Sequence, residues 1–138
     1  MFDHCLYFNT TALARRLERE WAEAFSGFDL SPPQAFMLRV VLARPGLLQR
    51  ELAAELSIAR PTATRALDQL QAKGFIERCG REGDARETCI HPTAKAIEVH
   101  TTLNSASASV TSHLKFLLGS AEFVETVSKI HQVRSALE

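Results

Sequence analysis

At 138 residues with 46% apolar side chains, the chain has the length of one ordinary domain and enough apolar surface for a core of its own. Sixteen Lys and Arg balance sixteen Asp and Glu, so composition announces no nucleic-acid partner, and any such partner must be read from where the charges sit. No apolar run approaches the roughly 20 residues of a membrane span, and "MFDHCLYFNTT" lacks the basic flank and long apolar stretch of a secretion signal. A cytoplasmic protein without a membrane partner is expected. The three cysteines are too scattered for a disulfide framework or a zinc cluster, so neither metal nor cofactor is expected.

In chain order, "LYFNTTALARRLEREWAEAF" puts Leu6, Leu13, Leu17, Trp21 and Phe25 near helical spacing, with most of its charges on the other side. A long amphipathic helix follows from that pattern. Ser31 is a plausible N-cap, Pro32 and Pro33 suit a first turn, and Arg44-Pro45-Gly46 ends the segment, which predicts a second helix between them. "LLQRELAAEL" repeats leucine at 48, 52 and 56 and reads as a short third helix. "RPTATRALDQLQAKG" gives a fourth, with Pro61 at its start, Ala63, Ala66, Leu67 and Leu70 on one stripe, and Gly74 as its stop. Its other face carries Thr62, Arg65, Asp68 and Gln69.

Two helices joined by a tight turn, the second with an apolar back and a polar front, have the form of a helix-turn-helix. An αα-hairpin inside any helical protein shows the same stripe, so the segment that follows decides between them. "FIERC" and "TCIH" read as two short strands around the charged loop "GREGDARE". Alone, such a tip is a solvated hairpin end. Directly after a recognition helix it would reach an adjacent minor groove, where an arginine satisfies the concentrated negative potential; Arg86 and Arg81 are the candidates.

These residues resemble the MarR family of winged helix-turn-helix regulators. "LAAELSIARPTATRALDQLQAKGFIER", then "DAR" and "HPTAK", stand in the family's order and spacing. The resemblance implies a mainly α fold with a small β-hairpin wing. It implies one MarR-like domain over 1–138, with a DNA-binding core at 30–95 and dimerisation helices at 1–29 and 96–138. The recognition helix would span 60–74 and the wing 75–91. Asp84 and Arg86 match the family's Asp-x-Arg pair, in which the arginine enters the minor groove and the aspartate supports the wing. Ala85 stands where many members carry a second arginine, so one phosphate contact is expected to be missing. Sequence reading falls to Thr62, Thr64, Arg65 and Gln69, with Arg60 placed for a phosphate.

Charge location agrees: residues 57–95 hold seven basic and five acidic side chains, whereas residues 1–30 hold three basic and five acidic. From Thr93 a helical pattern runs to Gly119, and its small, polar "SASAS" suits either the close approach of another helix or a local weakening. A last helix carries Phe123, Val127, Ile130 and Leu137 along one side. The resemblance implies that the first and last helices pack against their counterparts in a homodimer.

No glycine-rich phosphate loop, Ser/His/Asp constellation or metal-spaced cluster appears, so no enzyme is expected. The expected function is a repressor that binds a pseudo-palindromic double-stranded DNA operator as a homodimer. Family members often bind small aromatic or phenolic effectors between the dimer helices and the DNA-reading part. Trp21, Phe25 and Phe36, with Phe28 and Met37, are candidates to line such a cavity, against the plainer reading of core packing. Two alternatives stand beside this. One is a thiol-based redox regulator acting through Cys5, near the start of the first helix; the other is a helical protein-interaction module without DNA binding. Cys79 and Cys89 can face each other across the ribbon, although Cys89 also suits a buried apolar position.

Overall fold

The computed structural model describes the backbone of residues 1–81 and 84–138, and the side chains of 1–80 and 87–138. The elements follow in the order α1 (Leu6–Phe25), a short 3₁₀ turn (Ser26–Phe28), α2 (Pro32–Ala43), β1 (Leu47–Leu48), α3 (Gln49–Glu55), α4 (Arg60–Ala72), β2 (Ile76–Arg81), β3 (Asp84–Pro92), α5 (Ala94–Leu118) and α6 (Ser120–Ala136).

Local chemistry sets the helix ends. At the start of α2 the Ser31 Oγ accepts from the Gln34 N–H at 3.4 Å, while Gln34 Oε1 accepts from the Ser31 N–H at 3.1 Å. This reciprocal cap removes two orphan donors and contributes about 1 kcal/mol. Thr93 caps α5 by accepting from the Ala96 N–H, and its hydroxyl donates to the Gly74 carbonyl at 2.6 Å, tying α5 to the end of α4. Gly74 lies at φ 81°, where it lets the Phe75 N–H reach the Leu70 carbonyl and the Gly74 N–H reach that of Gln71.

The expected two-stranded ribbon is one strand short. Leu47 and Leu48 do not open the third helix; they pair with Ile90 and Cys89 to make a three-stranded antiparallel sheet in the order β1-β3-β2. Both leucines are buried, and an extended Leu-Leu with one face against the core satisfies its backbone through β3. The helix then starts at Gln49, where Glu51 reaches back to accept from the Leu48 N–H.

One core joins α2, α3, α4, the sheet and the N-terminal half of α5, around Leu38, Val41, Leu52, Leu67, Leu70, Ile90 and Leu103. Phe25 carries the end of α1 into it. The first half of α1, the end of α5 and all of α6 remain outside that core; α6 contributes no buried residue. No helix among the described residues is long and apolar enough to cross a membrane.

Candidate nucleic-acid interface and adjoining cavity

The apolar stripe of α4, Ala63, Leu67 and Leu70, is fully buried, and this fixes which way the rest of the helix faces. At about 100° per residue, Arg65 and Pro61 stand nearly opposite that stripe. Arg65 is exposed and has no ion-pair partner among the described residues.

The two edges of α4 are engaged differently. On the α3 side, Thr64 Oγ1 accepts from Gln49 Nε2 at 2.9 Å and donates to the Arg60 carbonyl at 3.0 Å. Arg60, Thr64, Gln49 and Arg50 line a groove whose far wall is Glu87 and Thr88 of β3. Arg50 reaches Glu87 at 3.2 Å, linking α3 to the base of the ribbon. Nothing in the sequence marks Gln49 or Arg50 as a site residue beyond their place between the leucines of α3.

On the α2 side, Gln69 Oε1 accepts from Gln34 Nε2 at 2.7 Å, so this side chain, expected to read bases, is tied to a neighbouring helix. Thr62 lies on the same edge and lines an apolar cavity. Arg81, Asp84 and Arg86 were expected at the ribbon tip; their side chains lie outside the described residues.

The basic surplus read from sequence is partly spent within the fold. Lys73 donates to the Asp29 carbonyl at 2.6 Å and to Gln34 Oε1 at 3.0 Å. Arg78 is held by Asp68 and Gln71 of α4. Lys95 donates to the Lys73 carbonyl at 2.6 Å and sits 4.4 Å over the Phe75 ring. Of the described basic side chains from 57 to 95, Arg60 and Arg65 alone have no ion pair or side-chain hydrogen bond.

The cavity beside α4 holds about 480 Å³ and is walled by Leu17 and Trp21 of α1, Pro32, Phe36 and Met37 of α2, and Thr62 and Ala66 of α4. Trp21, Phe36 and Met37 therefore occupy the expected wall. Phe25 and Phe28 do not: Phe25 is wholly buried, with its ring edge-on to Phe36 at 6.1 Å, and supports the wall from behind. Phe28 packs against the core.

Behind Phe36 lies a polar cluster that the sequence did not reveal. The Arg39 guanidinium sits 5.0 Å over the Phe36 ring, and it donates to Asn104 Oδ1 at 2.8 Å and to Ser107 Oγ at 2.9 Å. Trp21 Nε1 donates to the same Ser107 hydroxyl at 3.1 Å. Burial holds the Arg39 guanidinium below its ordinary range. Cys5 is exposed at the position preceding α1, and its side chain makes no capping hydrogen bond.

A two-helix unit whose second helix turns a polar face outward, followed by an antiparallel ribbon on a small sheet, defines a winged helix-turn-helix. The sequence model of the MarR family matches residues 28–87. YybA of Bacillus subtilis (strain 168), an HTH-type transcriptional regulator, is 30% identical over 127 residues, which span 91% of this chain and 84% of the relative. The chain belongs to the MarR family. Its fold superposes on that of S. aureus MepR in a DNA complex with a TM-score of 0.87, at 20% identity over 99% of this chain and 100% of that one. The repressor CouR bound to p-coumaroyl-CoA gives a TM-score of 0.87 at 22% identity, over 96% of this chain and 94% of that one.

Proposed function

We propose that this chain is a non-enzymatic, cytoplasmic repressor that binds a pseudo-palindromic DNA operator as a homodimer and is released by a small aromatic effector. The observation that carries the DNA reading is the outward face of α4, where Arg65 stands exposed and unpaired while Arg60 and Thr64 edge a groove against β3. An unpaired guanidinium on a recognition helix suits bidentate contact to guanine, and Arg60 in the first turn suits a phosphate. Thr64 sits beside them; Gln69 reaches DNA only by leaving its hydrogen bond with Gln34, and Thr62 stands exposed at the rim of the apolar cavity. Arg81 and Arg86, with Asp84 in support, are assigned to the wing's minor-groove contact on the family resemblance.

The test is selection of bound sites from random DNA, followed by anisotropy titrations at two salt concentrations. Arg65→Ala is expected to cost about 1–3 kcal/mol and to change which bases matter. Arg60→Ala is expected to weaken all sequences alike and to lower the salt slope by about one. If both variants keep the parent's affinity and base preferences, the assignment of α4 falls.

The effector reading is supported by the cavity wall. Thr62 and Ala66 belong to α4, so a ligand there touches the recognition helix directly. CouR was solved with p-coumaroyl-CoA, which makes aromatic acids and their thioesters the first ligands to try. Trp21 is the one tryptophan, so its emission reports occupancy. Effectors should quench it and weaken operator binding over the same concentration range; quenching without loss of DNA affinity would remove the regulatory role.

A further inference from the structure

We infer that Cys79 and Cys89 form a dithiol–disulfide site that clamps the two arms of the ribbon together. The two residues are direct partners in the β2–β3 ladder, and partners in an antiparallel pair point to the same face. The neighbouring pair, Arg78 and Ile90, faces the core, with Ile90 fully buried and Arg78 held by α4. The cysteine pair therefore lies on the outer face, next to the exposed Glu77 and His91.

The spacing suits a bridge. Thr93 N–H donates to the Phe75 carbonyl at 3.0 Å, which marks the Phe75–Thr93 step as a hydrogen-bonded pair; strict alternation along the ladder makes Cys79–Cys89 another. Such pairs hold their Cα atoms about 5.5 Å apart, inside the range that a disulfide spans, while their Cβ atoms stand somewhat farther apart than in an unstrained bridge, so the bond that closes here is a readily reduced one. The Cys79 sulfur already leans toward its partner, 4.0 Å from the Cys89 carbonyl oxygen. Both thiols are free, Cys79 exposed and Cys89 half-buried, which assigns the first encounter to Cys79 and the resolving step to Cys89.

The oxidant is a low-molecular-weight disulfide. The Cys79 thiolate attacks one of its sulfurs, forming a mixed disulfide and releasing one small thiolate. The Cys89 thiolate then attacks Cys79 Sγ, closing the bridge and releasing the second. Two protein thiols are oxidised by two electrons, and one small disulfide is reduced to two small thiols. The bridge closes across the ribbon below the tip that carries Arg86, so it constrains the wing whatever the wing contacts.

The test uses full-length protein with Cys5→Ser, which leaves Cys79 and Cys89 as its only thiols. It is titrated with oxidised glutathione, denatured, alkylated and weighed. Trypsin cuts after Arg81 and Arg86, so the two cysteines fall on separate peptides that only a bridge joins. The expected result is loss of both alkylatable thiols together, a monomer mass lighter by two hydrogens, and the joined peptides. Cys89→Ser should instead accumulate a stable glutathione adduct on Cys79. Two independent glutathione adducts in the protein that keeps both cysteines, a bridge between two chains, or thiols that stay fully alkylatable would each overturn the proposal. None of these readouts depends on DNA binding.

Discussion

Ser57 is held at φ 53° in the turn between α3 and α4, a backbone conformation that costs a side chain bearing a Cβ about 1–2 kcal/mol. It is tolerated because the turn satisfies the end of α3: the Ile58 N–H reaches the Ala53 carbonyl and the Ser57 N–H that of Ala54, both at 3.1 Å. Gly74 ends α4 by the same pattern with the residue that suits it. The pair makes opposite predictions. Ser57→Gly should stabilise by about 0.5–1 kcal/mol, the relief of strain exceeding the added chain entropy. Gly74→Ala should destabilise by about 1–2 kcal/mol, since only Lys95 Cδ lies near the new methyl and the backbone is the whole penalty. Urea denaturation of both variants checks the argument; shifts of the same sign would undo it.

Between elements, hydrogen bonds from α1 and α2 converge on one hydroxyl of α5, Ser107 Oγ, which accepts from both Trp21 and Arg39 and is itself buried. Ser107→Ala should cost about 1–3 kcal/mol, because it removes an acceptor from two donors that are partly desolvated. It should also shift Trp21 emission, and a variant with parental stability and spectrum would show that the cluster holds nothing. The sequence made the helices legible, since Ser31, the Arg44-Pro45-Gly46 stop, Thr93 and Gly119 bound them as local chemistry dictates. It left "SASAS" ambiguous between a close-packing surface and a weak spot. The structure answers that its Ser107 is a hydrogen-bond acceptor inside an unbroken helix, which depends on Arg39 arriving from 68 residues away. β1 was hidden for a similar reason: two residues carry no periodicity, and Leu47 and Leu48 are strand only because β3 lies beside them. In the candidate site, the outward position of Arg65 could be read from the stripe of α4 and that of Arg60 from its place at the helix start. The engagement of Gln69 by Gln34, and of Lys73, Arg78 and Lys95 by the fold, could not, because each depends on a partner from another turn or element.

At the scale of the molecule, apolar side chains are left outside. Leu6, Tyr7 and Leu13 of α1, Phe116 and Leu117 of α5, and Val124, Val127, Ile130 and Val133 of α6 are all more than 40% exposed in the single chain. Single exposed apolar residues are ordinary, but a set repeated over three helices outside the core calls for a surface that covers it. A second copy is the occupant that the family resemblance implies, and a two-fold axis through these helices would set two α4 helices on successive major grooves about 34 Å apart. Dimerisation and operator binding should then fail together. Ile130→Lys changes an exposed position on a helix without buried residues, so the fold of each chain should survive it. Sedimentation velocity is expected to show Ile130→Lys shifted toward monomer. Deletion of residues 120–138 should give monomer or aggregate, with operator affinity reduced more than by Arg65→Ala, because both half-sites lose their coupling rather than one contact. A truncated protein that stays soluble, dimeric and tightly bound to the selected DNA would place the interface elsewhere on the chain and take from α6 the role assigned to it.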